Sequence, residues 1–187
     1  MRILFIDTVH EHLASHLTRM DFECVDGTKW TRAEILSAAD SFDGAVIRSR
    51  IKLDKEFLDA AKNLRFIARA GAGMENIDVD YAKMLGIECF NAPEGNRDAV
   101  AEHAIGMLLS LFNHINTSDI EVRKGLWLRE ENRGVELLGR TVGIIGYGNT
   151  GQALAKRLAG FGVLTYAYDK HKKGFADSLV IETNMES

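Results

Sequence analysis

Short apolar runs recur along the first ninety residues: ILFI (3–6), FECV (22–25), GAVI (44–47), RFIA (65–68) and IECF (87–90). Between them, residues 12–20, 33–39, 55–61 and 79–85 carry apolar positions at helical spacing. Continuous apolar strands that alternate with short helices predict βαβ units and a parallel sheet covered on both faces. Five such strands predict an α/β fold of the flavodoxin-like wound type.

The pattern changes near residue 98. Asp98 is a suitable N-cap for a long helix over 99–116. Val100, Ala104, Met107, Leu108, Leu111, Phe112 and Ile115 fall on one stripe, with Ile105 and Leu109 off it. A helix apolar nearly all round is expected to be buried on several sides, between domains or in a subunit interface. Residues 117–140 are charged and broken by glycines, so they read as irregular. TVGIIG (141–146) then predicts a strand, 152–160 a helix and VLTYAY (163–168) a second strand. The boundary between the two sheets therefore falls at the long helix, giving one domain over 1–97 and, over 98–187, the long helix followed by a strand–helix–strand unit.

Composition narrows the class. Of 187 residues, 46% are hydrophobic and 27% charged, as in a folded globular chain. A net charge of −4 gives no global support to a nucleic acid or an anionic membrane as partner. The two cysteines, Cys24 and Cys89, form no metal or disulfide pattern, and the N-terminal apolar run is interrupted by Asp7. No stretch approaches a membrane span, and no metal site is expected. These features lead to the expectation of a cytoplasmic protein.

Candidate chemistry begins at VGIIGYGNTGQALAKRL (142–158). The triplet Gly146, Gly148, Gly151 stands between a predicted strand and a predicted helix, and Asp169 closes the following strand. The first glycine permits a tight turn, the second lets a pyrophosphate approach the backbone, and the third lets helix and strand pack closely. A carboxylate at Asp169 suits the adenine ribose hydroxyls and repels a 2′-phosphate, which favours NAD over NADP. Lys170, His171, Lys172 and Lys173 follow it, either as a site for a 2′-phosphate or as a solvated loop.

Ligands of wound sheets sit beyond the carboxyl ends of the strands. There the first sheet offers Arg48-Ser49-Arg50 after its third strand and Gly71-Ala72-Gly73 after its fourth. Asn91-Ala92-Pro93, leading to Asn96, follows the fifth. Two guanidinium groups, a loop of backbone N–H donors and an amide suit a small molecule with two anionic groups. The alternatives are a surface strand end for the arginines and a plain turn for the glycines.

ARAGAGMENIDVDYAKMLGIECFNAPEGNRDAVAEHAIGMLL (68–109), GVELLGRTVGIIGYGNTG (134–151) and YDK (168–170) together resemble the D-isomer-specific 2-hydroxyacid dehydrogenases. Arg48-Ser49-Arg50 resembles the substrate loop of the phosphoglycerate dehydrogenase branch. The resemblance implies a flavodoxin-like substrate domain followed by the first βαβ unit of a Rossmann NAD-binding domain, and a homodimer formed around helix 99–116. It implies that Gly71, Ala72 and Gly73 receive the carboxylate of a small 2-hydroxy or 2-keto acid, with Asn96 lining the cleft. Arg48, Ser49 and Arg50 would meet the phosphate end. It also implies cofactor contacts from Val100, Gly146, Tyr147, Gly148, Asn149, Thr150, Gly151, Asp169 and Lys170. The family's catalytic arginine, glutamate and histidine lie beyond the strand that ends at Asp169, and only 18 residues follow Asp169 here. The sequence is thus expected to be the N-terminal portion of such an enzyme and inactive by itself, or a noncatalytic NAD-binding module. 3-Phosphoglycerate is the favoured substrate, with glycerate, glyoxylate and lactate types as alternatives.

Overall fold

A computed structural model describes residues 1–185. The chain divides into two compact units, Met1–Gly95 and Asn96–Ser187, each built on its own parallel sheet.

In the first unit, β1 (Arg2–Phe5), β2 (Glu23–Asp26), β3 (Gly44–Ile47), β4 (Phe66–Arg69) and β5 (Glu88–Asn91) stand in the order β2-β1-β3-β4-β5, all parallel. This is the flavodoxin-like order expected from the five apolar runs. Side chains alternate across the sheet: Leu4, Ala45, Ile47 and Ile67 join one core, while Ile3, Phe5 and Val46 join the other. Four helices connect the strands: α1 (Glu11–Arg19), α2 (Arg32–Ala38), α3 (Lys55–Ala60) and α4 (Val79–Met84). Three of them start on strong side-chain caps. Thr31 forms a capping box with Glu34, Asp54 accepts from the Phe57 N–H, and Asp78 accepts from the Tyr81 N–H.

α5 (Glu94–Phe112) leads into the second unit, followed by α6 (Ile115–Arg123). β6 (Thr141–Ile145), α7 (Asn149–Leu158), β7 (Leu164–Tyr168) and β8 (Ile181–Glu182) complete it. The strands run parallel in the order β6-β7-β8, which is one wing of a Rossmann sheet. Ile144, Ala155, Leu158 and Ala167 form the core, with Ile105 and Leu108 of α5 packed on it. Arg157 of α7 reaches Asp98 at 3.0 Å and Glu102 at 2.8 Å on α5.

Several expectations need correction. The long helix begins at Glu94, straight after Pro93, so Asp98 lies inside it and caps nothing. A proline immediately before a helix costs no backbone bond there. The helix also stops at Phe112, because His114 adopts a left-handed conformation (φ 50°), and a separate helix, α6, runs from Ile115 into the region read as irregular. Ala101 is the buried residue of α5; Val100, Met107 and Leu111 are exposed, so the helix is not buried on several sides within this chain. The second sheet has three strands rather than two, since Ile181–Glu182 adds a short one. α7 starts at Asn149, three residues earlier than the helix expected over 152–160.

Candidate functional site

The loops that carry the candidate anion-binding residues gather at the carboxyl ends of β3, β4 and β5. Arg69 at the end of β4 donates Nε–H to the Arg48 carbonyl at 3.1 Å, and the Asn76 amide reaches the Ser49 carbonyl at 3.3 Å. The Asn91 amide donates to the Ala72 carbonyl at 2.6 Å, and the Ala92 N–H to the Gly71 carbonyl at 2.9 Å. Arg48, Ser49 and Arg50 thus share one face with Gly71, Ala72 and Gly73. Within the glycine loop, Gly71 turns its own N–H back onto the Arg69 carbonyl at 2.9 Å. The N–H groups of Ala72 and Gly73 are the ones left to meet an anion.

The two arginines differ. Arg50 donates from Nε and Nη2 to the Ile6 carbonyl, from Nη2 to Gly27 and from Nη1 to Trp30, at 2.5–2.9 Å. All three of its guanidinium nitrogens are engaged with main-chain oxygens, so it braces the ends of β1 and β2. Arg48 has an exposed side chain and carries no such brace. Asp7, which follows β1, holds the loop from beneath. Its Oδ2 accepts from the N–H groups of Arg48, Ser49 and Arg50 at 2.6, 2.9 and 3.2 Å, and its side chain is 12% exposed. Three consecutive N–H groups form an anion nest, and here the protein fills it with its own carboxylate.

The glycine turn of the second unit has a different character. Gly146 sits at φ 96°, open to glycine and strained for other residues. A Cβ on Gly151 would lie 2.1 Å from the Gly146 carbonyl oxygen, so only glycine lets α7 pack against the turn. A Cβ on Gly148 would meet nothing within 4 Å. The protein itself gives no reason for a glycine there, whereas a close-lying pyrophosphate does. α7 also has Gly148 as its N-cap, with no side-chain cap, so its first N–H groups and positive dipole end stay available to an anion.

Asp169 anchors this turn. Its Oδ2 accepts from the Tyr147 N–H at 2.8 Å, and its Oδ1 from the N–H groups of His171 and Lys172 at 2.8 and 3.0 Å. The His171 N–H, then those of Tyr147 and Lys172 with the Lys172 charge, hold its carboxyl below the usual carboxylate range against the opposing effect of burial. Tyr147 is buried at 2% exposure, stacked on Phe175 at 5.0 Å, with its hydroxyl donating to Asp177 at 3.1 Å. Burial first, then Asp177, push its phenol up to about 12. Its ring is therefore part of the core, which leaves only its backbone facing the turn. Asn149 and Thr150 form the first turn of α7. Lys170 is exposed in the loop beyond β7. Asn96 and Val100 lie four residues apart on one face of α5, both exposed.

A sequence model described as "D-isomer specific 2-hydroxyacid dehydrogenase, catalytic domain" matches residues 3–176. The chain belongs to this family. As a D-2-hydroxyacid dehydrogenase chain it is 37% identical over 169 residues to a D-3-phosphoglycerate dehydrogenase of Archaeoglobus fulgidus, covering 90% of this chain and 32% of that one. It is 42% identical over 139 residues to a hydroxypyruvate reductase of Thermotoga maritima, covering 74% and 45%. In fold it is similar to an NAD-dependent formate dehydrogenase of Staphylococcus aureus solved in complex with NAD, with a TM-score of 0.82 at 23% identity, covering 100% of this chain and 61% of that one. The chain thus spans about a third to under half the length of these curated relatives.

Within this dehydrogenase chain, sequence reasoning missed Asp7, Arg69 and the Tyr147–Phe175–Asp177 cluster. Asp7 had one signal, an acidic residue closing the strand adjacent to β3. The others act through contacts across sequence separations that local patterning does not reveal. Among the described residues no histidine forms an ion pair with a carboxylate. His10 instead caps α1, its Nδ1 accepting from the His12 N–H at 3.2 Å.

Proposed function

We propose that the chain is the substrate-binding unit and phosphate-binding turn of an NAD-dependent oxidoreductase acting on a D-2-hydroxy acid that carries a second anionic group, 3-phosphoglycerate first among them. The open space at Gly148, beside the uncapped start of α7, carries the reading. In it, backbone N–H groups of Gly148, Asn149 and Thr150 hold the pyrophosphate, and the one remaining acceptor position on Asp169 takes a ribose hydroxyl. The negative charge of Asp169 disfavours a 2′-phosphate, hence NAD rather than NADP. NAD, when bound, supplies the hydride acceptor. Ala72 and Gly73 N–H groups receive the substrate carboxylate, and Arg48 the phosphate. Arg50 acts as a brace, which narrows the earlier pairing of both arginines on the phosphate.

That only Arg48 of the Arg48–Arg50 pair is free of a main-chain brace also favours a second reading, an unphosphorylated hydroxypyruvate-type acid, in line with the name of the Thermotoga maritima relative. Titration of the 15N-labelled chain with 3-phosphoglycerate and with glycerate separates the two. The first reading expects shifts at residues 48–50 and 71–73 for the phosphorylated acid, weakened about tenfold or more by Arg48→Ala. Equal affinity for both acids, with no loss on Arg48→Ala, overturns it.

With no histidine–carboxylate ion pair among the described residues to move a proton, the chain is proposed to bind without turnover. Assay with NADH and a panel of 2-keto acids tests this, and a turnover rate of ordinary dehydrogenase size refutes it. The exposed Val100, Met107 and Leu111 on α5 support the proposed homodimer through this helix. Sedimentation that shows only monomer at micromolar concentration argues against it.

A further inference from the structure

Tyr147 is held at both of its main-chain polar groups, which belong to the two peptide planes on either side of its Cα. Its N–H donates to Asp169 Oδ2, as described above. Its carbonyl accepts from the Lys172 ammonium at 3.1 Å and from the Gln152 amide at 3.3 Å. Lys172 is itself fixed at its backbone, where its N–H donates to Asp169 Oδ1 at 3.0 Å. Asp169, Tyr147 and Lys172 therefore close a small circuit around the turn.

The circuit has a geometric consequence for the next residue. There is no cis peptide bond among the described residues, so the Tyr147 carbonyl and the Gly148 N–H share one trans plane and point in opposite directions. Holding the carbonyl toward Lys172 and Gln152 turns the Gly148 N–H the other way. Glycine at 148 has no side chain to resist a flip of this plane, and nothing lies within 4 Å of its Cβ position to restrain it by packing.

We infer that Lys172 and Gln152 are positioning residues of the phosphate turn, which pin the Tyr147 carbonyl and so keep the Gly148 N–H turned outward to receive a dinucleotide pyrophosphate. The inference rests on the dinucleotide reading above. It assigns Lys172 a task other than neutralising a 2′-phosphate: its donor faces a main-chain oxygen. Lys173, one residue on, lies over the Tyr168 ring at 5.8 Å and takes no part.

The test is 15N NMR of the 187-residue chain, without ligand and in titration with NAD. Lys172→Met and Gln152→Ala are each expected to shift the Gly148 amide in the free chain. Lys172→Met is further expected to weaken NAD about threefold to tenfold, the worth of the one part-buried hydrogen bond it removes. Lys172→Arg, which keeps a donor for the carbonyl, should return affinity to within about twofold of the parent. Lys173→Met removes the same charge and should leave the Gly148 amide in place. Loss of NAD affinity with the free Gly148 amide unmoved would mean that Lys172 touches the cofactor directly, and would overturn the inference. Unchanged NAD binding in both variants, or an equal effect from Lys173→Met, overturns it as well while leaving the dinucleotide reading intact. Absence of any NAD-induced shift at 146–151 in the parent chain removes the dinucleotide reading, and the inference with it.

Discussion

Each unit presents a run of backbone N–H groups beyond the carboxyl end of a strand, β3 in the first and β6 in the second, and the two runs are treated in opposite ways. In the first unit the N–H groups of Arg48, Ser49 and Arg50 converge on Asp7, an internal carboxylate. In the second, Asp169 takes the Tyr147 N–H, while the N-terminal turn of α7 has no side-chain cap. Helix starts follow the same division, with caps at Thr31, Asp54 and Asp78 in the first unit and none at α7. Donors satisfied from within hold a scaffold in shape. Donors left open at a glycine turn are where the fold keeps room for an external anion.

The comparison breaks most sharply at Gly151. Gly151→Ala places a methyl group against the Gly146 carbonyl oxygen and forces α7 away from the turn, at a cost of roughly 1–3 kcal/mol. Amide exchange should show the loss in β6 and α7 while the first unit keeps its protection. Equal loosening of both units would mean that the two are energetically one body.

The next effect belongs to the first unit. Asp7→Ala leaves three N–H groups of the 48–50 loop without their acceptor and is expected to destabilise by about 1–2 kcal/mol. Thr31→Ala removes a capping box for about 1 kcal/mol. Denaturant unfolding followed by Trp30 fluorescence in a Trp127→Phe background reads both. A midpoint unchanged by Asp7→Ala would show that the loop holds itself.

How far patterning reaches is clear from the elements themselves. GAVI (44–47) is a strand with the bounds its four apolar residues set, and the other strands of the first sheet lie within a residue or so of their runs. Burial on both faces makes such runs continuous, and the wound order follows from alternation with helices. The glycine turn was legible for the same reason: Gly146 and Gly151 have conformational and steric demands that only glycine meets. The break in the long helix was not legible. It depends on a left-handed His114, a conformation that its side chain does not advertise. Nor could the separate fates of Arg48 and Arg50 be read. Two residues apart and chemically identical, they are distinguished by carbonyls of Ile6, Gly27 and Trp30 that the fold brings to one of them.

The smallest expected effect sharpens the comparison at high pH. Tyr147 titrates at about 12 in the folded chain against about 10 when exposed. The stability it confers is fully present below pH 10 and is lost as pH rises through about 12. Absorbance at 295 nm should therefore show a late phenolate step that Tyr147→Phe abolishes. Persistence of that step in the variant would assign it to another of the four tyrosines.

The exposed ridge of α5 and the segment beyond it has a calorimetric consequence. Met107, Leu111, Ile115 and Trp127 are 51–80% exposed while the chain is folded, so unfolding a single copy wets them little further. Heat capacity rises on unfolding mainly through newly wetted apolar surface, typically by about 12–15 cal/mol/K per residue. An isolated copy should fall below that range. A copy with the ridge covered should recover it, so scanning calorimetry across a dilution series reports whether these side chains meet water.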